Sequence, residues 1–416
     1  MNRGLFVPSG GTGATEFADA AIQPPPRGHL ALVLVIGAGI VSAFQVGKVP
    51  LALQSIRADL GVDLAAASWV LSAFALVGAV ASLAIGAASD RFQARPTVIA
   101  GLALQAAGSA LGAMAAGLPS LLAARALEGL GFLAVTVAAP ALVVAATVPA
   151  TRKRAFAAWA TFMPVGMAAI MLAAPILGKV GWRGLWWGNA VLLVVYAVVL
   201  ATGTHSLRMQ HGQVAREGLL RGLRDTLGTG GAWFLAGQFC AYTVVFFALF
   251  GFLPTILGDR LAVGDGAAGV LSAIAVAAGA AGCLACGVLL QRGWRASHLL
   301  MVGFSTIALC GIGILAMPLP AGMAYALCVL FSFTGALIPV VLFDAAPRLA
   351  VRPALLGSVV GLAMQGNSAG IVIGPAVAGA IAGAAGWPWV AAPVVVVALL
   401  AALGAHLFRS QLEAGR

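Results

Sequence analysis

The chain alternates long apolar runs with short polar breaks. Each run is long enough to form a helix across a bilayer, which needs about 20 apolar residues. Twelve such runs are read, at about 29–51, 66–88, 96–116, 119–147, 155–178, 184–204, 232–257, 267–290, 296–317, 320–342, 355–383 and 387–408. The runs are continuous instead of alternating with period two, so they predict helices and exclude a membrane β-barrel. The longest internal break, 205–231, divides the spans six and six. It carries Arg208, Arg216, Arg221 and Arg224, with Leu219, Leu220, Leu223 and Leu227 at helical spacing. Part of it is therefore expected to lie in the membrane interface. The predicted organisation is a tail over 1–28, a six-helix half over 29–204, a linker over 205–231, a second half over 232–408 and a short tail over 409–416.

Composition supports this pattern. Of 416 residues, 62% are apolar and 8% charged, against roughly 25% charged in soluble chains. A soluble enzyme or nucleic-acid binder could not cover its surface with so few polar groups. The formal charge of +11 is topogenic by its placement. With the N-terminus inside, seventeen of the 23 Lys and Arg residues fall in inside segments, as the positive-inside rule requires. Lys48, Arg57, Lys179, Arg183 and Arg260 fall outside, and Arg125 lies within the fourth span. Both termini and the linker are thus expected in the cytoplasm, with the chain in a bacterial inner membrane as a monomer. The first 28 residues hold no apolar core of the signal-peptide kind.

The halves repeat. Val70-Leu71-Ser72-Ala73 recurs as Val270-Leu271-Ser272-Ala273, Gly166 as Gly366, and Pro175 as Pro375. Two parallel six-helix halves suit alternating access around a midplane site.

Three segments carry a family resemblance. GAASDRFQARP, Gly86 to Pro96, lies between the second and third spans and resembles the loop motif G-x-x-x-D-R-x-G-R-K/R of the major facilitator superfamily. Gly86, Asp90, Arg91 and Arg95 match, and Gln93 replaces a glycine. RALEGLG, from Arg125, resembles the superfamily's fourth-span motif, and AAPILG a weakened form of its fifth-span motif. Within the superfamily, VGKVPLAL, WATFMPVGM and FFALFGFLPTIL are similar to cyanate- and nitroimidazole-type porters. The resemblance implies an all-α fold of twelve helices and a secondary transporter. It also implies a gating role for Gly86, Asp90, Arg91 and Arg95, which would latch the cytoplasmic side. The second-half copy has Gln291 in place of the aspartate, which implies a weaker latch. Drug–proton antiporters of the superfamily often carry an acid in the first span, where this chain has Gln45.

Charges inside the spans are the candidates for substrate contact, because a charge in the bilayer is expensive and normally faces a partner or a cavity. Arg125 and Glu128, at i and i+3, share a helix face. They can pair structurally, or Arg125 can hold an anion while Glu128 exchanges a proton. Lys48, three residues after Gln45, either snorkels to the outer interface or, if its helix continues toward Arg57, joins Arg125 and Glu128 in a set of net charge +1. That set suits a monovalent anion. The second half offers only neutral candidates. These are Gln238 and Tyr242, Ser332 and Thr334, and Gln365 and Asn367. Trp159 and Met163 can wall the cavity from the fifth span. The cargo expected is a small anionic or polar solute, with proton coupling; export of amphipathic compounds is the alternative, and a non-transporting receptor or scaffold a third reading. Cys283 and Cys286 form a C-x-x-C without further ligands nearby, and the five histidines are scattered. No metal, cofactor, nucleotide or nucleic-acid site is expected, and no nucleophile–base pair suggests an enzyme.

The expected orientation has a direct test. In a variant without native cysteines, His211→Cys should react with an impermeant maleimide in inverted vesicles only. Reaction in intact cells would reverse the topology.

Overall fold

The computed structural model describes residues 28–88, 93–204, 219–350, 352 and 355–413. Twelve helices in it are long and apolar enough to cross a membrane. We number them α1 (Gly28–Leu60), α2 (Leu64–Ile85), α3 (Ala94–Ala113), α4 (Leu118–Ala145), α5 (Arg154–Met171), α6 (Ala174–Gly203), α7 (Gly230–Phe250), α8 (Asp265–Gln291), α9 (Ala296–Leu315), α10 (Ala321–Leu349), α11 (Gly357–Ala385) and α12 (Trp387–Leu407). A short linker helix, Leu219–Leu227, lies between the halves. Six alternating passes return the chain to the face that bears this linker. We call it the linker face, and the other end the opposite face.

The twelve expected spans are present, with three departures. Helix α1 runs 33 residues, about 50 Å at 1.5 Å per residue, and so continues past Arg57. Lys48 consequently lies well inside the bundle and does not snorkel. Helix α5 is built from two pieces that meet at Thr161. The seventh span stops at Phe250, and a separate helix, Leu253–Leu261, follows. Pro254 in the first turn of that helix has no N–H to continue α7.

Small residues set the closest helix approaches, as expected where lipid supplies no hydrophobic drive. A Cβ on Gly129 of α4 would lie 1.6 Å from the Phe74 carbonyl oxygen of α2. Gly366, Gly370 and Gly374 make a stripe on α11 that lies directly against the α7 backbone. Gly181, at φ 68°, breaks the Ala174–Gly203 range of α6 into a short helix that continues the fifth pass and the sixth pass proper, and Gly386 turns the chain between α11 and α12 at φ 91°. The two turns extend the repeat already read from Pro175 and Pro375.

The halves pack through α2 with α11 and α5 with α8. Ser72 Oγ donates to the Val372 carbonyl at 2.8 Å. Nearer the opposite face, Gln54 Nε2 donates to Thr255 Oγ1 at 3.1 Å. At the linker face, the linker helix rests on α2, α7 and α11, with Asp225 paired to Arg352.

The glycine approaches predict an unequal response to alanine. Gly129→Ala should lose folded protein in fluorescence-detected gel filtration, because a buried backbone atom must move by more than 1 Å. Gly237→Ala in α7, where a Cβ meets nothing within 4 Å, should leave the yield unchanged or raise stability by about 0.5–1 kcal/mol.

Candidate functional site

Helix α1 brings Lys48, and α4 brings Arg125 and Glu128, into one ionic cluster inside the first half. Lys48 Nζ donates to Glu128 Oε1 at 2.7 Å. Arg125 Nη1 donates to Glu128 Oε2. Each carboxylate oxygen is thus taken by a cation. Lys48 Nζ also donates to Ser109 Oγ of α3 at 2.8 Å, and that hydroxyl donates to the Trp186 carbonyl of α6 at 3.0 Å. Arg125 Nε donates to the Val70 carbonyl of α2 at 3.0 Å. Lys48 Nζ lies 4.3 Å from the centroid of Trp186, and the Arg125 guanidinium 4.6 Å from that of Phe74.

Local sequence explains the convergence. Gly108 on α3 lets the Glu128 stem pass, since a Cβ there would be 2.7 Å from its Cγ. On α4, with 3.6 residues per turn, Arg125 and Glu128 at i and i+3 fall on one face. The whole cluster is buried: Lys48 and Glu128 are 0% exposed and Arg125 1%. In a low-dielectric interior, removing one member of such a set leaves a bare charge. Two cations and one carboxylate give a formal charge of +1.

An aromatic wall separates this cluster from the centre of the bundle. Phe74 sits in a short 3₁₀ turn, Ala73–Ala75, within α2. Its ring meets Phe132 at 5.1 Å, Phe132 meets Phe162 at 6.4 Å, and Phe162 stacks on Trp159 at 4.6 Å. Beyond Phe74 and Phe132 is a narrow cleft between the halves, bounded on the far side by Met364, Asn367 and Ser368 of α11. Arg125 is one ring away from that cleft.

Gln45, a substrate-contact candidate, is fully buried one turn below Lys48 toward the linker face. Neither of its amide atoms meets a partner among the described residues. Of the other candidates, Trp159 belongs to the aromatic wall and Met163 packs against the core. Gln238 Nε2 donates to the Ala401 carbonyl of α12 at 3.0 Å, a helix–helix contact. Tyr242 packs on Phe246 at 5.6 Å. Ser332 and Thr334 hydrogen-bond to the carbonyls of Val276 and Leu330. Asn367 borders the cleft, and its carbonyl accepts from Thr243. Gln365 has a buried Oε1 without a described partner. Among the gating candidates, Arg95 donates to Thr204 Oγ1 and the Ala201 carbonyl at the end of α6. Asp90, Arg91 and the side position of Gly86 lie outside the described residues. Among the described residues, no three His, Cys, Asp or Glu side chains gather as a metal site.

The sequence reading did not select Ser109, Phe74, Trp186, Gln105 or Asn189. For all but Phe74 the signal was present but weak. Gln105 and Ser109 share a face of α3 with Gly108 and Gly112, and Trp186 and Asn189 share a face of α6. Polar residues beside small ones in an apolar span mark a helix interface, but not which helix they meet.

The cluster's charge balance predicts how its variants rank. Lys48→Met leaves the Arg125–Glu128 pair neutral and should be the mildest single change. Glu128→Gln strands two cations and should be the most destabilising, by about 3–5 kcal/mol. Thermal unfolding of the purified variants reads the order. A larger loss for Lys48→Met than for Glu128→Gln would contradict it.

Known proteins agree with this architecture. The puromycin resistance protein pur8 of Streptomyces alboniger is 31% identical over 180 residues, covering 42% of this chain and 36% of that protein. The inner membrane transport protein YajR of Escherichia coli (strain K12) is 32% identical over 148 residues, covering 34% and 32%. The chain thus spans about a third of the length of these two relatives. A chloramphenicol resistance protein of Streptomyces lividans is 28% identical over 400 residues, covering 90% of this chain and 94% of that one. In solved structures, a bacterial homologue of the human lysosomal transporter Spinster, inward-facing and occupied, has the same fold. Its TM-score is 0.73 at 15% identity, over 91% of this chain and 96% of that one. The Major Facilitator Superfamily matches over residues 35–365, and the chain, an integral multi-pass membrane protein, belongs to that superfamily.

Proposed function

We propose that the protein is a secondary transporter that moves a small organic or inorganic anion, or a polar solute, by alternating access between its two halves. The observation that carries this reading is the buried Lys48–Arg125–Glu128 cluster, with its formal charge of +1, one ring behind the inter-half cleft. An excess of positive charge in a low-dielectric site attracts one negative charge. Arg125 is the residue suited to hold it, because its planar fork matches a carboxylate or similar anion. Phe74 covers Arg125 in this state, so the ring must turn aside before an anion reaches the guanidinium. Its 3₁₀ turn interrupts α2 at that point, and such turns often mark hinges.

The linker face is the cytoplasmic one in this reading, supported by the placement of Lys and Arg. The membrane is the bacterial inner membrane, and the working unit is a monomer. The stretches VGKVPLAL and WATFMPVGM support a place near the cyanate- and nitroimidazole-type porters.

A second reading has its own support. Relatives are described as puromycin and chloramphenicol resistance proteins and a cephamycin export protein of Amycolatopsis lactamdurans. These favour export of an amphipathic organic compound, for which the aromatic wall would supply the contact surface.

Uptake into proteoliposomes separates the two. A panel of radiolabelled monocarboxylates, cyanate and nitrate, set against puromycin and chloramphenicol, should show flux for a member of the anion group. Arg125→Lys should lower that flux by about tenfold or more, the loss of one charge-assisted bond, with unchanged protein abundance. Phe74→Ala should not abolish it. Flux of the antibiotics alone, indifferent to Arg125→Lys, would select export. Flux of neither group would remove both.

A further inference from the structure

The charge cluster has one more layer beneath it. One turn toward the linker face, helix register puts three buried side-chain amides at a similar depth: Gln45 on α1, Gln105 on α3 and Asn189 on α6. Gln45 and Gln105 are 0% exposed and Asn189 3%. Gln105 Nε2 donates to Ser42 Oγ at 3.0 Å. Both amide atoms of Gln45, both of Asn189 and Oε1 of Gln105 have no partner among the described residues. Their positions follow from their neighbours. Ser42 and Lys48, on either side of Gln45, reach α3, and Lys48 also reaches α6. Asn189 follows Trp186, which lies under Lys48, and precedes Tyr196, whose hydroxyl donates to the Leu34 carbonyl of α1 at 3.0 Å. Five unpaired amide atoms in one buried layer are a built site for water, since each unpaired group would otherwise bear its full desolvation cost. Val35, Ala38, Leu102 and Leu193, all buried, close this layer toward the linker face.

The charge count decides which member of the cluster can exchange a proton. Arg125 cannot lose one. Protonating Glu128 would raise the buried charge from +1 to +2 and break both ion pairs. Deprotonating Lys48 lowers it to zero, and the amine keeps Ser109 as a hydrogen-bond partner. The ionisable groups facing Lys48 are Glu128 and Arg125 of α4. The other neighbours are neutral: Ser109 from α3, Trp186 from α6, and Met167 and Ile170 from α5 against Gly47, with Gln45 one turn away on its own helix.

We propose that Lys48 is the proton-carrying group of the transport cycle and that the Gln45–Gln105–Asn189 layer holds the water that takes its proton. One Nζ–H bond breaks, its electron pair stays on nitrogen, and the proton passes to a water molecule of the layer, which releases it to bulk solvent as hydronium when the cycle parts the apolar closure formed by Val35, Ala38, Leu102 and Leu193. Reprotonation is the reverse. An anion beside the cluster stabilises the ammonium, so anion and proton are taken up together, by reciprocal linkage. This assignment rests on the transporter reading and names its coupling residue.

The test needs no transported solute. The full chain in nanodiscs is stepped in pH across neutrality, with proton release followed by a pH dye and the carboxylic-acid stretch by infrared difference. Wild type should release a proton per chain that Lys48→Arg does not, because a guanidinium keeps its charge. Release common to both proteins is subtracted as background. Lys48→Met serves the same comparison if the guanidinium prevents folding. Gln45→Leu with Asn189→Leu should slow the release without removing it. No carboxylic-acid band lost in Glu128→Gln should appear. Equal release from wild type and Lys48→Arg, or a Glu128 acid band that persists in Lys48→Arg, would overturn the assignment. A failed uptake panel with a positive titration would instead count against the transporter reading alone.

Discussion

The structure depends on one constraint: charge placed in a bilayer must be satisfied by protein. Lys48, Arg125 and Glu128 satisfy one another, and their mutual pairing fixes where α1, α3, α4 and α6 can stand. Gly108 is small because the Glu128 stem passes it, and Gly129 is small because α2 must bring the Val70 carbonyl to Arg125. Trp186 turns its ring under Lys48 and its carbonyl toward Ser109. Few of these contacts gain much alone. Together they make the first half a polar-cored bundle in which a change in one member is felt by four helices.

The second half follows a different logic. Its described span contacts are mostly backbone against backbone, through the glycine stripe of α11, and side chain against carbonyl, as for Gln238, Thr243 and Ser332. Such contacts hold helices together without holding charge. The repeat therefore conserves the outline of the fold, including turns at Gly181 and Gly386, while among the described residues the fully buried ion pairs all lie in the first copy. A carrier in which one half binds charge and the other presents a neutral wall has its ion site away from the symmetry axis.

Much of this fold was legible in the sequence. Apolar run length gave the twelve helices, because a span in lipid has almost no alternative to a helix. The grouping into halves could be read from the linker and the repeated Pro and Gly positions. Arg125 and Glu128 stood out because charge is so rare in the spans. Lys48 was ambiguous for a definite reason. Its depth depends on where α1 ends, and an amphipathic extension to Leu60 carries no apolar signal. The role of Phe74 was not legible at all, since an aromatic in an apolar span looks the same whether it faces lipid, packs in a core or covers an arginine. Gln105 and Asn189 marked helix interfaces only weakly, because an amide's partner on another helix leaves no mark on its own.

The burial of one charge cluster also bears on what could drive the proposed transport cycle. A carrier that reorients with a net charge works with or against the membrane voltage, by about 2.3 kcal/mol per elementary charge for each 100 mV. With Lys48 as an amine, the empty cluster is neutral. With Lys48 as an ammonium beside a monovalent anion, the loaded cluster is neutral as well. In the proposed cycle, both forms that cross the field then carry no charge through it. Such a cycle is electroneutral, and it would run on a difference in pH even across a membrane whose electrical potential has collapsed.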